Sequence, residues 1–238
     1  MTNPKKSSNK MPLSDLEKSF TSAKESGLST EIVAAIIPLV DAYQQVRKFD
    51  PAVRCLKDVL PVIREKGEAG QEAVILTALG TAFWEMAQLQ KALDQFSLAR
   101  DLFKQSGDKM GERAILAMVG ITFWRKCDWQ RALEILADVF ADGLVVDDRF
   151  MSVRGALERG IATLQNRVRM GRELVDPLKT LQPLFSGCAL YRVLGNHEQF
   201  ELCLNESVAL AESLNKTDIL DAAKELKLLG AGPASQGR

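Results

Sequence analysis

Apolar residues recur along most of this chain at a spacing of three or four positions, which is the period of one face of an α-helix. Two such faces lie in the middle of the chain, and their members are Ile75, Leu76, Leu79, Phe83 and Met86, then Leu93, Phe96, Ala99, Leu102 and Phe103. No segment alternates with the period of two that is typical of a strand. The pattern therefore predicts an all-α protein.

The helical pattern repeats. Residues 72–96 match residues 112–136 at nine of 25 positions without a gap, an offset of 40 residues. The identical pairs include Gly80 and Gly120, Phe83 and Phe123, Trp84 and Trp124, and Ala92 and Ala132. Gly27, Gly67 and Gly107 are also 40 residues apart, and each follows a helical stretch. Glycine there suits the left-handed residue that ends a helix. A fixed period of this length indicates a helical-repeat architecture.

These residues resemble the tetratricopeptide repeat in its longer form of about 40 residues. That family's motif places a large apolar residue, a Leu-Gly pair and an aromatic on the first helix, then alanine and a large apolar residue on the second. The corresponding residues here are Leu76, Leu79, Gly80, Phe83, Ala92 and Phe96, and in the next unit Leu116, Val119, Gly120, Phe123, Ala132 and Leu136. The resemblance implies a right-handed α-solenoid of about five stacked helix hairpins with a capping helix at each end.

The layout that we predict has a first helix at 13–26 and a closing helix at 217–229. The hairpins are predicted at 30–66, 70–106, 110–141, 148–185 and 187–214. The solenoid would span 13–229, and the polar segments 1–12 and 230–238 would be disordered tails. Pro177, Pro183 and Gly187 lie close together, so we expect the second helix of the fourth hairpin to be short or displaced.

Composition excludes several classes of protein. Lysine and arginine together number 31, as do aspartate and glutamate, so the zero net charge disfavours general nucleic-acid binding. The polar residues 1–10 do not form a signal peptide, and the longest apolar run, 32–40, is too short to insert into a membrane. The four cysteines lack metal or redox spacing, which favours a reducing compartment. We therefore predict a cytoplasmic protein.

Candidate chemistry is sparse. His197 is the only histidine, and its Gly-Asn-His-Glu context is typical of a turn between helices. The chain contains no glycine-rich phosphate loop and no nucleophile elbow. We therefore expect no enzyme activity, no metal and no cofactor.

A partner site is predicted from the resemblance, because first helices line the concave face in that family. The predicted groove consists of Ile37, Asp41, Gln44, Thr77, Thr81, Trp84, Glu85, Ala117, Ile121, Trp124, Arg125, Leu157, Ile161 and Leu164. Its apolar character suits a peptide or an amphipathic helix of another protein, with Trp84 and Trp124 as anchors. Two alternatives remain: the tryptophans pack between repeats, or the chain's own first or last helix fills the groove.

A second predicted surface is a basic patch made of Arg149, Arg154, Arg159, Arg167, Arg169 and Arg172. The following stretch, 198–225, carries seven acidic residues against two lysines. Such asymmetry would attract an acidic partner or drive homo-oligomerisation through complementary charged ends. Solvated helix faces would produce the same pattern. The main prediction is a chaperone-like scaffold or adaptor, with a self-assembling structural protein and a regulatory or sensor module as alternatives.

Overall fold

A computed structural model describes residues 11–66, 68–142 and 147–230, and every regular element in these ranges is helical. The helices are α1 (Leu13–Ser26), α2 (Ser29–Gln45), α3 (Phe49–Glu65), α4 (Ala69–Glu85), α5 (Leu89–Ser106), α6 (Lys109–Arg125), α7 (Trp129–Asp142), α8 (Met151–Glu173), α9 (Pro177–Val193), α10 (His197–Ser213) and α11 (Thr217–Gly230). A short 3-10 turn, Asp148–Phe150, precedes α8. The prediction of an all-α fold is confirmed.

Helices α2 to α7 form three consecutive hairpins, α2–α3, α4–α5 and α6–α7, close to the predicted positions. A three-residue turn joins the two helices of each hairpin. Its middle residue is left-handed in every case, with φ of 58° at Arg47, 59° at Ala87 and 61° at Cys127. The N–H groups of the turn donate to the last carbonyls of the preceding helix, which satisfies that helix end. The 40-residue repeat is therefore structural.

Small residues allow the two helices of a hairpin to pack closely. A Cβ atom on Gly80 would lie 2.4 Å from the Phe96 ring, and one on Gly120 would lie 2.6 Å from Leu136. Real Cβ atoms do not approach so closely, so only glycine lets the facing helix come this near. The small residue predicted on the second helix, Ala92, is also fully buried.

Two of the three glycines at the 40-residue offset end helices as predicted. Gly27 follows α1 with φ of 68°, and Gly107 follows α5 with φ of 70°. Both angles are in the left-handed region that glycine adopts without a steric penalty. Gly67 lies outside the described residues.

The predicted boundaries of the fourth and fifth hairpins are wrong. Residues 177–193 form one continuous helix, α9, which includes both Pro183 and Gly187. The side chain of Asp176 accepts a hydrogen bond from the Lys179 N–H at 3.0 Å, so α9 begins with a satisfied cap. Pro183 and Gly187 are both buried. Tertiary packing of this helix therefore outweighs the local preference of proline and glycine to end it.

The C-terminal helices also pack differently from a plain stack of hairpins. Helix α8 packs against α2, α4 and α9, whereas α9 packs beside α6 and forms a second hairpin with α10. Helix α11 pairs with α10 and returns onto α7. The row of first helices therefore continues from α6 to α9, and α8 is an additional helix that lies against α2 and α4.

One core cluster of buried apolar residues includes members of all eleven helices. Helix α1 contributes Phe20 at one end and α11 contributes Leu226 at the other, which agrees with a capping helix at each end. The predicted tails lie outside the described residues, except that Met11 and Pro12 precede α1 and Gly230 is the last residue of α11.

Candidate functional site

The face formed by α2 and α4, where the predicted groove lies, is covered by α8. The ionic contact between them centres on Arg159 of α8. Its Nη1 donates to Asp41 Oδ1 at 2.8 Å, and its Nε and Nη2 donate to the two carboxylate oxygens of Glu85, each at 2.8 Å. Nη2 also lies 3.3 Å from Gln44 Oε1. One arginine therefore ties α8 to both α2 and α4.

Arg159 and the two carboxylates that it contacts are largely shielded from solvent. The side chains of Asp41 and Glu85 are only 10% and 8% exposed, and that of Arg159 is 22% exposed. Burial opposes its positive charge, but the hydrogen bonds and charges of Glu85 and Asp41 outweigh burial and raise the pKa of Arg159. Arg159 is thus the shared counterion of two almost fully buried carboxylates, and this cluster is part of the packing of α8 on α2 and α4.

Two glycines bring α8 close to the helices beneath it. A Cβ atom on Gly155 would lie 2.5 Å from Asp41 Oδ1, and one on Gly160 would lie 2.9 Å from the indole of Trp84 and 3.0 Å from Leu190. A larger residue at either position would require these neighbouring side chains to move. The two glycines therefore allow α8 to lie close to α2 and α4.

The two tryptophans of the predicted groove are core residues, and the prediction that they face an open surface is wrong. Trp84 is 4% exposed and Trp124 is fully buried. The Trp124 ring lies 4.8 Å from Trp129 and 4.9 Å from Phe185, and its Nε1 donates to the Phe185 carbonyl at 3.3 Å. Trp124 therefore joins α6, α7 and α9, which is the packing alternative.

Most other members of the predicted groove are also inaccessible. The buried ones are Ile37, Asp41, Gln44, Thr77, Thr81, Ala117, Ile121 and Leu157, the partly buried ones are Glu85, Ile161 and Leu164, and Arg125 is exposed. The 40-residue offset assigned Leu157, Ile161 and Leu164 to the same row as the others. They instead belong to α8, which lies across that row. The expectation of an open apolar groove over α2 and α4 is therefore corrected.

The predicted basic patch separates into individual ion pairs. Arg149 pairs with Asp108 and Asp147, Arg154 with Glu158, Arg159 with Asp41 and Glu85, Arg169 with Glu173, and Arg172 with Glu206. The pair between Arg172 and Glu206 joins the basic region to the acidic one within a single chain. Arg167 forms no ion pair within the described residues, and it faces a cavity.

That cavity, which we call the basic cavity, has a volume of about 490 Å³. It lies where the C-terminal ends of α2, α4 and α6 meet α8 and α9. Its charged members are Arg47, Arg125, Arg159, Arg167 and Glu85, and its apolar members include Phe49, Trp84, Leu164 and Leu190. Glu85 is paired with Arg159, and the other three arginines form no ion pair within the described residues.

A second concave surface, the outer groove, lies on the other side of α8. It has a volume of about 670 Å³ and runs over α9 between α8 and α10. Its apolar members include Ile161, Leu164, Val168, Leu184, Tyr191 and Leu202. Arg172 and Glu206 form an ion pair across the groove, and Leu164 belongs to both the groove and the basic cavity.

The remaining candidate groups do not assemble into a site. His197 is the first residue of α10, and its Nδ1 lies 2.8 Å from Arg192 Nη1. Within 11–66, 68–142 and 147–230, no three histidine, cysteine, aspartate or glutamate side chains come together as metal ligands. None of the described helices combines the length and apolar character needed to cross a membrane.

Solved structures with a similar fold include BtubC (BKLC) from P. vanneervenii, at 18% identity and a TM-score of 0.46, over 85% of this chain and 91% of that one. Nearly identical TPR-like repeats from Podosopora anserina, named for kinesin light chain, align at 13% identity and a TM-score of 0.47 over 86% of this chain and 87% of theirs. No protein-family model and no curated protein sequence matches this chain. Similarity at this level identifies neither a ligand nor an activity.

Sequence reasoning missed the role of α8 and both concave surfaces that it borders. Gly160 follows Gly80 and Gly120 at the same 40-residue offset, but its close neighbours are Trp84 of α4 as well as Leu190 of α9. The available signal was a pair of glycines, Gly155 and Gly160, inside one helical pattern. Glycine in a helix interior is costly and indicates close packing.

Proposed function

We propose that this protein is an interaction scaffold that binds an amphipathic helix or an apolar peptide of another protein in the outer groove. The observation that carries the proposal is Leu202, which is 57% exposed at the edge of the open groove. Leu202 adjoins the apolar lining of the groove and extends its exposed area, and contiguous exposed apolar patches commonly mark protein-binding sites.

The anatomy of the outer groove supports this proposal. Leu184 and Tyr191 of α9 form an apolar floor, and the charges of Arg172 and Glu206 lie at the rim. Protein interfaces commonly have such an apolar centre and polar rim. The floor of the groove is one helix, α9, and its two sides are α8 and α10. A groove of this shape suits the apolar ridge of a further helix.

The packing of α8 on the repeats is a second observation that supports helix binding. The face of α2 and α4 already holds a helix of 23 residues, α8, through an ionic cluster and two close glycine contacts. The repeat scaffold thus accommodates a helix as a ligand within the same chain. Occupation by α8 moves the proposed partner site from the predicted groove to the outer groove.

Binding fits the chemistry of the groove better than catalysis does. Cys203 is the one thiol in the outer groove, and burial raises its pKa, with a smaller contribution from the negative charge of Glu206. A thiol with a raised pKa stays protonated and is a poor nucleophile. The groove therefore offers apolar area and fixed charges, which are means of recognition.

The test is a selection of helical peptides from a phage-displayed library against the whole protein. We expect enrichment of peptides with apolar residues at helical spacing, and we expect Leu202→Asn to weaken their binding by about tenfold or more. Leu98→Asn is the matched control, since Leu98 is 48% exposed on α5, away from the groove. Equal binding to both variants, or no enriched sequence, would show that the outer groove is not the docking site.

A further inference from the structure

The basic cavity contains arginines that the fold does not neutralise. Within the described residues, Arg47, Arg125 and Arg167 form no ion pair with a carboxylate, whereas Arg159 in the same cavity pairs with two. A concave surface lined by several positive charges without counterions attracts anions.

Arg125 is held in a fixed position. Its Cζ lies 4.9 Å from the centroid of the Trp84 ring, and its Nη1 donates to the Trp84 carbonyl at 2.8 Å. A guanidinium has five N–H donors, and this one uses a single donor within the described residues. Stacking on the ring and the hydrogen bond together preorganise the remaining donors, which lowers the entropic cost of binding an oxyanion.

The positive charge of Arg167 acts on Arg125. Burial lowers the pKa of Arg125, and the positive charge of Arg167 lowers it further. Both side chains line the cavity, one from the end of α6 and the other from α8. An anion between them would relieve this repulsion and would accept several charge-assisted hydrogen bonds.

The rest of the cavity wall is aromatic and aliphatic. Phe49, Trp84 and Leu164 provide apolar surface beside the arginines. The volume of about 490 Å³ is within the range of small-molecule sites and exceeds what an isolated inorganic ion needs. The occupant that matches this wall has an anionic end and an apolar or aromatic part.

We propose that the basic cavity binds a small organic anion, with a carboxylate or phosphate group on Arg125 and Arg167 and an apolar part against Trp84 and Leu164. Both oxyanions match the planar donor pattern of arginine. Because the cavity wall comes from α8 as well as from the first three hairpins, the ligand would join α8 to them. The proposal is independent of peptide binding in the outer groove.

The experiment titrates the whole protein with anilinonaphthalene sulfonate, an aromatic anion that fluoresces on binding, and follows energy transfer from tryptophan at low salt. We expect Arg125→Gln combined with Arg167→Gln to weaken binding by about tenfold or more. The control combines Arg154→Gln with Arg169→Gln. It removes the same net charge from exposed arginines that pair with glutamates on the surface of α8. We expect it to bind like the wild type.

Competition identifies the anionic group. Displacement of the probe by pyrophosphate and not by citrate would assign a phosphate ligand, and the reverse would assign a carboxylate ligand. Displacement by neither, or equal affinity of the two double variants, would overturn the proposal. If Arg125→Gln disturbs folding by circular dichroism, Arg167→Gln alone decides the question. Arg167 makes no hydrogen bond or ion pair within the described residues, so unchanged affinity of that variant would also overturn it.

Discussion

Replacement of Arg159 by methionine tests whether α8 is held in the groove as the structure shows. Methionine keeps an unbranched apolar stem of similar length but removes the guanidinium, and with it the bonds to Asp41 and Glu85. These carboxylates are almost completely buried and lie on two different helices, α2 and α4. Arg159→Met would leave both of them without a counterion.

The size of the effect follows from burial. Removal of one partner from a buried ion pair costs about 3–5 kcal/mol, because the remaining charge stays desolvated and unpaired. Since Arg159 itself retains some exposure, we expect a loss near 3 kcal/mol in the free energy of unfolding. Arg154→Met on the same helix is the control. Its pair with Glu158 is 64% and 57% exposed, so we expect a loss below about 1 kcal/mol.

Urea denaturation followed by circular dichroism measures both free energies, and amide hydrogen exchange locates the change. We expect faster exchange in α8 than in α2 to α7. Adding Asp41→Asn and Glu85→Gln to Arg159→Met should restore most of the stability, because no charge is then left buried. A loss within about 1 kcal/mol of the Arg154→Met control, with α8 still protected, would refute the role that we assign to Arg159.

Three further predictions concern local geometry. Val175→Gly should stabilise the protein by about 1 kcal/mol in thermal unfolding, because Val175 is 87% exposed and has φ of 52°. Gly80→Ala should destabilise it by about 1–3 kcal/mol in urea, because the new Cβ would lie 2.4 Å from Phe96. Burial and the hydrogen bond to Glu17 raise the pKa of Tyr43 from 10.0 to about 12. Between these two pH values Tyr43 keeps its proton in the native protein but loses it in the unfolded chain, so the wild type should lose stability as the pH rises. The loss should be less steep in Tyr43→Phe, which has no proton to release at this position.

Each of these changes has a matched comparison. Gly195→Ala is the reverse change at an equivalent turn with φ of 71° and should destabilise, so stabilisation by both variants would contradict the argument from φ. Gly70→Ala, on the same helix as Gly80 but with no atom within 4 Å of the new Cβ, should not destabilise. If the wild type and Tyr43→Phe lose stability equally as the pH rises, then Tyr43 does not keep its proton in the native state.

The sequence predicted the first half of the fold well because its determinants are local and repeated. The apolar period predicted the helices, and the 40-residue offset predicted the hairpins. Gly80 indicated the close crossing of α4 and α5 at Phe96. These signals depend on helix geometry and on contacts within one hairpin. The confirmed bounds of α1, and the left-handed Gly27 after it, follow from the same kind of local information.

The site could not be predicted in the same way, because it depends on contacts between segments far apart in the chain. Arg159 is 118 residues from Asp41 and 74 from Glu85, and no local pattern relates them. An amphipathic helix in the next repeat and an amphipathic helix laid across earlier repeats have the same period. The offset that correctly paired Trp84 with Trp124 therefore misplaced Leu157 when it was extended to α8.

The position of α8 also decides which partner-binding mode the protein can use. A helix within the same chain competes at a high effective concentration, of the order of millimolar for short flexible linkers, so a partner helix would bind weakly at the predicted groove. The outer groove and the basic cavity instead require α8 in place, since Leu164 contributes to both. A peptide-binding measurement on Arg159→Met therefore distinguishes binding in the outer groove from replacement of α8 on α2 and α4. Selected peptides should bind the variant more weakly if they use the outer groove, and more tightly if they replace α8 against α2 and α4.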